Sequence, residues 1–136
     1  MASQAGVVKL ASLIDTVVAP KQGERMLFLT DFGEKSDDQA KQRMDLVLRW
    51  HQASQLLSKE KSFRLLPIVV YKETGKNNSE LPKSAETIDG GHVDDLPSLI
   101  ASCNIAIAMT KYSASAPLKN LASSASSLRA VSMPGV

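Results

Sequence analysis

Apolar positions along this chain fall into helix-like and strand-like segments that alternate. Val7, Val8, Leu10, Ala11, Leu13, Ile14, Val17 and Val18 recur at the three-and-four spacing of an amphipathic helix. That helix, over residues 7–19, should stop before Pro20, because proline disfavours helical backbone in the residue ahead of it. Lys21-Gln22-Gly23-Glu24 reads as a turn. Met26-Leu27-Phe28-Leu29-Thr30 is a continuous apolar run without polar alternation, as expected of a strand buried on both faces in a parallel sheet. It ends at Asp31-Phe32-Gly33. Residues 36–58 predict a long helix, with Ser36 as N-cap and Asp37-Asp38 in the dipole-favoured first turn. Ala40, Met44, Val47, Leu48 and His51 form its expected inner face, extended by Leu56 and Leu57.

The second half continues the alternation. Residues 65–71 predict a strand, with Pro67 near its start or at an edge because proline has no N–H to donate. Residues 73–91 read as one long polar loop, a length that in compact domains is usually functional or disordered. Asp94 is the expected cap of a short helix over 95–102, where Pro97 is tolerated in the first turn. Residues 104–109 predict the third strand, 115–127 a helix capped by Ser115, and Ala130 the start of a fourth strand. Strand, Ser-rich turn, helix and strand in that order make a parallel crossover. The expected fold is therefore α/β: a three-layer sandwich with a mainly parallel four- or five-stranded sheet, Rossmann/flavodoxin-like, in a single domain over residues 1–136.

Composition narrows the function. Aromatic residues are 4% against 43% apolar, so the core must be mostly aliphatic. The 16 basic residues are interleaved with 14 acidic ones and sum to +2, with no basic stripe or stacking platform, which argues against nucleic acid. Lys9 and Asp15 interrupt the apolar segment 7–19, which is also shorter than the roughly 20 residues of a membrane span, so a docked helix and no membrane partner are expected. The lone Cys103 excludes an internal disulfide and, with no signal-peptide pattern ahead of the first helix, points to a reducing cytoplasm.

Candidate chemistry is sparse. The first strand is followed by TDFGEKSDD, which has neither GxGxxG nor GxxxxGK[ST], and Gly75-Lys76 lacks the preceding glycine. No nucleotide, metal or other cofactor is expected. His92 with Asp94 and Asp95 reads either as a cation cluster or as a helix start rich in carboxylates. No serine sits in a GxSxG elbow, and Cys103 lies where a thiol is usually inert packing. In open parallel sheets ligands collect beyond the carboxyl ends of the strands. Those ends carry Asp31, then Tyr71 and Lys72, then Thr110, Lys111, Ser113 and Ser115. The N–H groups opening helix 115–127 suit a carboxylate, and Lys111 adds a positive charge. The candidate ligand-binding residues are thus Asp31, Thr110, Lys111, Ser113 and Ser115; the competing reading is that they are ordinary turn and cap residues.

Two segments resemble a known family. Residues 20–31, PKQGERMLFLTD, are similar to the opening of the aminopeptidase T-like metallopeptidases, where a helix leads through a turn into a strand ending Thr-Asp. TKYSAS from Thr110 to Ser115, followed by RAVSMPG from Arg129 to Gly135, resembles a later segment of that family, shared with related ring-cleaving dihydroxypyridine dioxygenases. Leu128 stands where the family usually has glycine, and no His-Thr pair follows Ser113. The resemblance implies an N-terminal domain that walls a peptide site and contributes to dimer contacts, with the metal ligands in a C-terminal half; no position here matches a ligand. Two readings follow: a non-catalytic module binding a peptide or protein partner, or the N-terminal fragment of a longer metal-dependent aminopeptidase. A homodimer through helix 7–19 or an edge strand is expected, since that helix is apolar on more than one stripe.

Overall fold

The computed structural model describes residues 4–33, 37–124 and 127–134. Along the chain it forms α1 (Gln4–Val18), β1 (Arg25–Phe32), α2 (Asp38–Lys61), β2 (Arg64–Leu65), β3 (Val69–Lys72), β4 (Ala85–Thr87), β5 (His92–Val93), α3 (Leu96–Ala101), β6 (Ile105–Thr110), α4 (Ser115–Ser124) and β7 (Arg129–Pro134). The fold is mixed α/β with a mostly parallel sheet of seven strands among the described residues, ordered β5-β4-β3-β1-β6-β7, with β2 beside β1. β3, β1, β6 and β7 run parallel to one another, while β4 is antiparallel to both β3 and β5.

Period-two alternation splits the apolar strands between two cores. Met26 and Phe28 of β1 and Ile105, Ile107 and Met109 of β6 pack with Ile14 and Val18 of α1 and Val47 and Leu57 of α2. Leu27, Leu29, Ala106 and Ala108 point the other way, to Leu96 and Ile100 of α3 and Leu118 of α4. The continuous apolar runs therefore sit in the middle of the sheet, with β6 buried throughout. The crossover from β1 to β3 contributes α2 to one core, and that from β6 to β7 contributes α4 to the other. The chain thus diverges beyond the adjacent carboxyl ends of β1 and β6.

Several expectations are corrected. The sheet has more than five strands, because short pairings escape a search for apolar runs. The segment 65–71 is two strands rather than one. Leu66 N donates to Met26 O, Pro67 offers no donor, and His51 Nε2 lies 2.9 Å from Leu66 O, satisfying the carbonyl at the break. The segment 73–91 is not wholly irregular. Ala85–Thr87 pairs with β3, and a turn at 87–91 leads into β5. Gly90 takes φ +95° there, a left-handed conformation that costs glycine little. Ser36 lies outside the described residues; Asp37 caps α2, accepting from Ala40 N at 2.8 Å. Asp95, not Asp94, caps α3, accepting from Ser98 N. The inner stripe of α2 runs through Arg43, Val47, Ser54 and Leu57, and Leu48 is 45% exposed. On α1, Val8, Leu13 and Val17 remain about half exposed.

Candidate functional site

The carboxyl ends of β1 and β6 bring Asp31 against the loop that begins with Thr110 and Lys111. β1 and β6 are paired over four residues, so their ends lie side by side. Asp31 is almost fully buried, although it is charged. Its carboxylate accepts from Lys111 N at 2.9 Å and Tyr112 N at 3.4 Å, and Arg43 Nε lies 3.6 Å away. A carboxylate so placed has exchanged water for two backbone donors and a guanidinium, the condition under which a buried charge is tolerated. Thr110 is fully buried and its hydroxyl donates to Tyr112 O at 2.6 Å. Tyr71 stands opposite Asp31 in the β1–β3 register. Burial, and then the neighbouring Asp31 carboxylate, push the Tyr71 phenol well above the usual range, so it stays neutral.

The start of α4 is also occupied from within. Ser113 N donates to Asn77 Oδ1 at 2.9 Å, and Ala116 N donates to Asn78 Oδ1 at 3.0 Å. Ser115 N donates to Ser113 Oγ at 3.2 Å, and Asn78 N donates to Ser113 O at 2.8 Å. Asn78 sits at φ +63°, a backbone region asparagine tolerates better than most residues. Ser115 is therefore the first residue of the helix rather than its cap; Asn78 and Ser113 do the capping. The long loop crosses the edge of the sheet and docks its asparagine pair on α4.

All five expected residues thus converge, but Asn77, Asn78 and Ser113 occupy the amides opening α4 that an external carboxylate would have used, while Asp31 occupies those of Lys111 and Tyr112. What faces outward carries several lysines, with the carboxylates of Glu73 and Asp45 beside them. The side chain of Lys111 is exposed and lies 5.4 Å from the Tyr112 ring centre. Lys72 ends β3, Lys76 precedes the asparagine pair, and Lys41 lines a hollow of about 380 Å³ with Asp31, Phe32, Gly33, Ala40 and Met44. Gly33 matters for shape: a Cβ there would lie 2.6 Å from Glu73 Oε2, so the carboxylate of Glu73 packs over bare backbone.

The remaining candidates separate. His92 Nε2 lies 2.9 Å from Asp94, while Asp95 turns to the start of α3, so the three do not converge. Among the described residues no group of three His, Cys, Asp or Glu side chains could hold a metal ion. Cys103 is buried, its Sγ donates to Leu99 O at 3.3 Å, and desolvation raises its thiol pKa, which suits packing rather than nucleophilic attack. Sequence reasoning missed Arg43, Asn77 and Asn78. A lone arginine on the inner stripe of an amphipathic helix was the available signal for the first. The Asn-Asn pair, typical of left-handed turns, was the signal for the others. No helix among the described residues is long and apolar enough to cross a membrane. No family model, curated protein or solved structure matches the chain.

Proposed function

We propose that this domain is a non-catalytic binding module of the three-layer, Rossmann/flavodoxin-like type that takes a peptide or other carboxylate at the carboxyl edge of its sheet. The observation that carries the reading is the rim itself. Lys41, Lys72, Lys76 and Lys111 are exposed there, and none joins an ion pair among the described residues. Asp31 is meanwhile consumed inside, holding the loop that bears Lys111. A guest carboxylate would meet ammonium groups on a pre-organised loop, with Ser113 and Ser115 beside it and Thr110 bracing the loop from beneath. The fold type is supported by the two cores on opposite faces of the sheet and by the order β3-β1-β6-β7. The reduced, packed Cys103 accords with a cytoplasmic setting.

The test is calorimetry with an acidic peptide bearing a free C-terminus. Lys111→Ala should weaken binding by about fivefold, the size of one exposed charge contact. Unchanged affinity removes Lys111 from the site.

The second reading, the N-terminal part of a metal-dependent aminopeptidase, draws on the resemblance of TKYSAS and RAVSMPG and on the free edge of β7, a strand to which further protein could add. A homodimer through that edge or through the exposed Val8, Leu13 and Val17 of α1 belongs to the same group of proposals.

A further inference from the structure

We infer that the free edge of β7 accepts a short extended peptide as an added strand, and that the peptide alternates aliphatic with acidic residues. This goes beyond the rim reading above, because the site is the side edge of the sheet rather than the carboxyl ends of its strands.

Among the described residues β7 is the last strand in the sheet order, with β6 on one side only. Arg129 N donates to Asn104 O at 2.7 Å, and the register continues from Ile105↔Arg129 to Thr110↔Pro134. In a parallel ladder alternate residues bond the same neighbour. Arg129, Val131 and Met133 therefore turn their backbone groups to β6, while Ala130 and Ser132 turn theirs outward. Pro134 falls at the next outward position and has no N–H. The free edge is thus short, with two donors ending at a proline, which suits a few residues of peptide better than a long sheet-to-sheet contact.

The side chains of an added strand would have two places to go. Val131 and Met133 line an apolar hollow of about 190 Å³ with Ile14, Val17, Trp50 and Ile107. Ala130 and Ser132, on the opposite face, line one of about 380 Å³ with Ser115, Leu118, Lys119 and Ala122. Strand side chains alternate between faces. One set would enter the aliphatic hollow and the other would meet Lys119, which is exposed and in no ion pair among the described residues. Ser115 links this second hollow to the rim described above.

Trp50 is the only tryptophan, so its emission reports the apolar hollow directly. The probe is a blocked peptide, acetyl-Val-Glu-Val-Glu-Val-amide, which has no free carboxylate at its end. Titration should give a saturable blue shift. Lys119→Glu should weaken binding about fivefold and favour the Val-Lys-Val-Lys-Val counterpart instead. N-methylation of one alternate set of peptide amides should abolish binding, and of the other set should not. Equal binding of both charge versions, or equal effects of both methylated sets, overturns the proposal. So does a doubled mass in light scattering accompanied by the Trp50 shift without peptide, because a second copy would then hold the edge. Loss of free-carboxylate binding alone counts against the rim, and loss of blocked-peptide binding alone counts against the edge.

Discussion

Backbone conformation at single residues shows where the chain departs from its easiest geometry. Ser62 ends α2 at φ +59°, with its N–H donating to Ser58 O at 2.9 Å and its carbonyl accepting from Gly23 N at 2.9 Å. This left-handed position after a helix is the one glycine fills at least cost, because a Cβ there crowds the following carbonyl. Among the described residues the Ser62 hydroxyl makes no hydrogen bond that glycine would forfeit. Ser62→Gly should therefore stabilise the domain by about 1 kcal/mol. For a chain of this size that corresponds to a rise in Tm of roughly 2–5 °C, measurable by calorimetry. A lowered Tm would mean that the added freedom of the unfolded chain outweighs the relief. Nothing in the local sequence KSF marks this position, since serine is common in turns of every hand.

Among the elements, those with a strong period were legible and those held by a few contacts were not. The run at residues 26–30 identified β1 as a strand buried on both faces, because such burial removes polar alternation, and the run at 104–109 identified β6 as a strand without giving its place in the sheet. β4 and β5 have three and two residues, too few to carry a pattern, and their pairing depends on a turn at Gly90 and Gly91. The stripe of α2 was read through Ala40, Met44, Val47, Leu48 and His51, and it left out Arg43 and Ser54. The burial of Arg43 makes sense only once Asp31 lies beside it, and that proximity is between elements rather than along the chain. The five expected site residues did converge, since strand ends and helix starts follow from the order of elements. Their occupancy by Asn77 and Asn78 did not follow, because it depends on how a polar loop crosses the edge. Asp31 is the link between the two sides of that site. Asp31→Ala should remove the acceptor for two backbone amides and the carboxylate beside Arg43. The cost should be about 3 kcal/mol. Denaturant unfolding would measure it, and hydrogen exchange should speed first at Lys111 and Tyr112. A loss well under 1 kcal/mol would mean that water serves those amides equally well.

For the molecule as a whole, the outermost parallel strand is tied back to the first turn of the chain. Arg129 Nη1 and Nη2 reach both oxygens of Glu24 at 2.9 and 2.8 Å, and Nη2 also donates to Val18 O at 3.0 Å. One guanidinium thus joins the end of α1, the turn before β1 and the start of β7, elements 105 residues apart at the Glu24 contact. The expectation of a parallel sheet was sound, yet strand order was open, and this clasp lies between the segments whose sequences resemble a family rather than within either. The hydrogen bond from Arg129 holds the Glu24 carboxyl below its ordinary value, ahead of the opposing effect of burial. A carboxyl whose pKa is depressed on folding contributes stability above its unfolded value, and that contribution is lost as pH falls through the folded one. Arg129 is shifted upward by the same pairing and stays charged across this range. Glu24→Gln should therefore lower stability at pH 7 by no more than about 1 kcal/mol, because the guanidinium is partly exposed and solvent screens the pair. The difference between the two proteins should stay constant above the usual carboxylate range, shrink as pH falls below it, and close once Glu24 itself is protonated. Paired thermal melts from pH 7 to pH 2 measure this directly. A gap that persists undiminished at pH 2 would mean that the glutamate acts through its shape and its neutral hydrogen bonds, and that charge is not what fastens β7 to the rest of the fold.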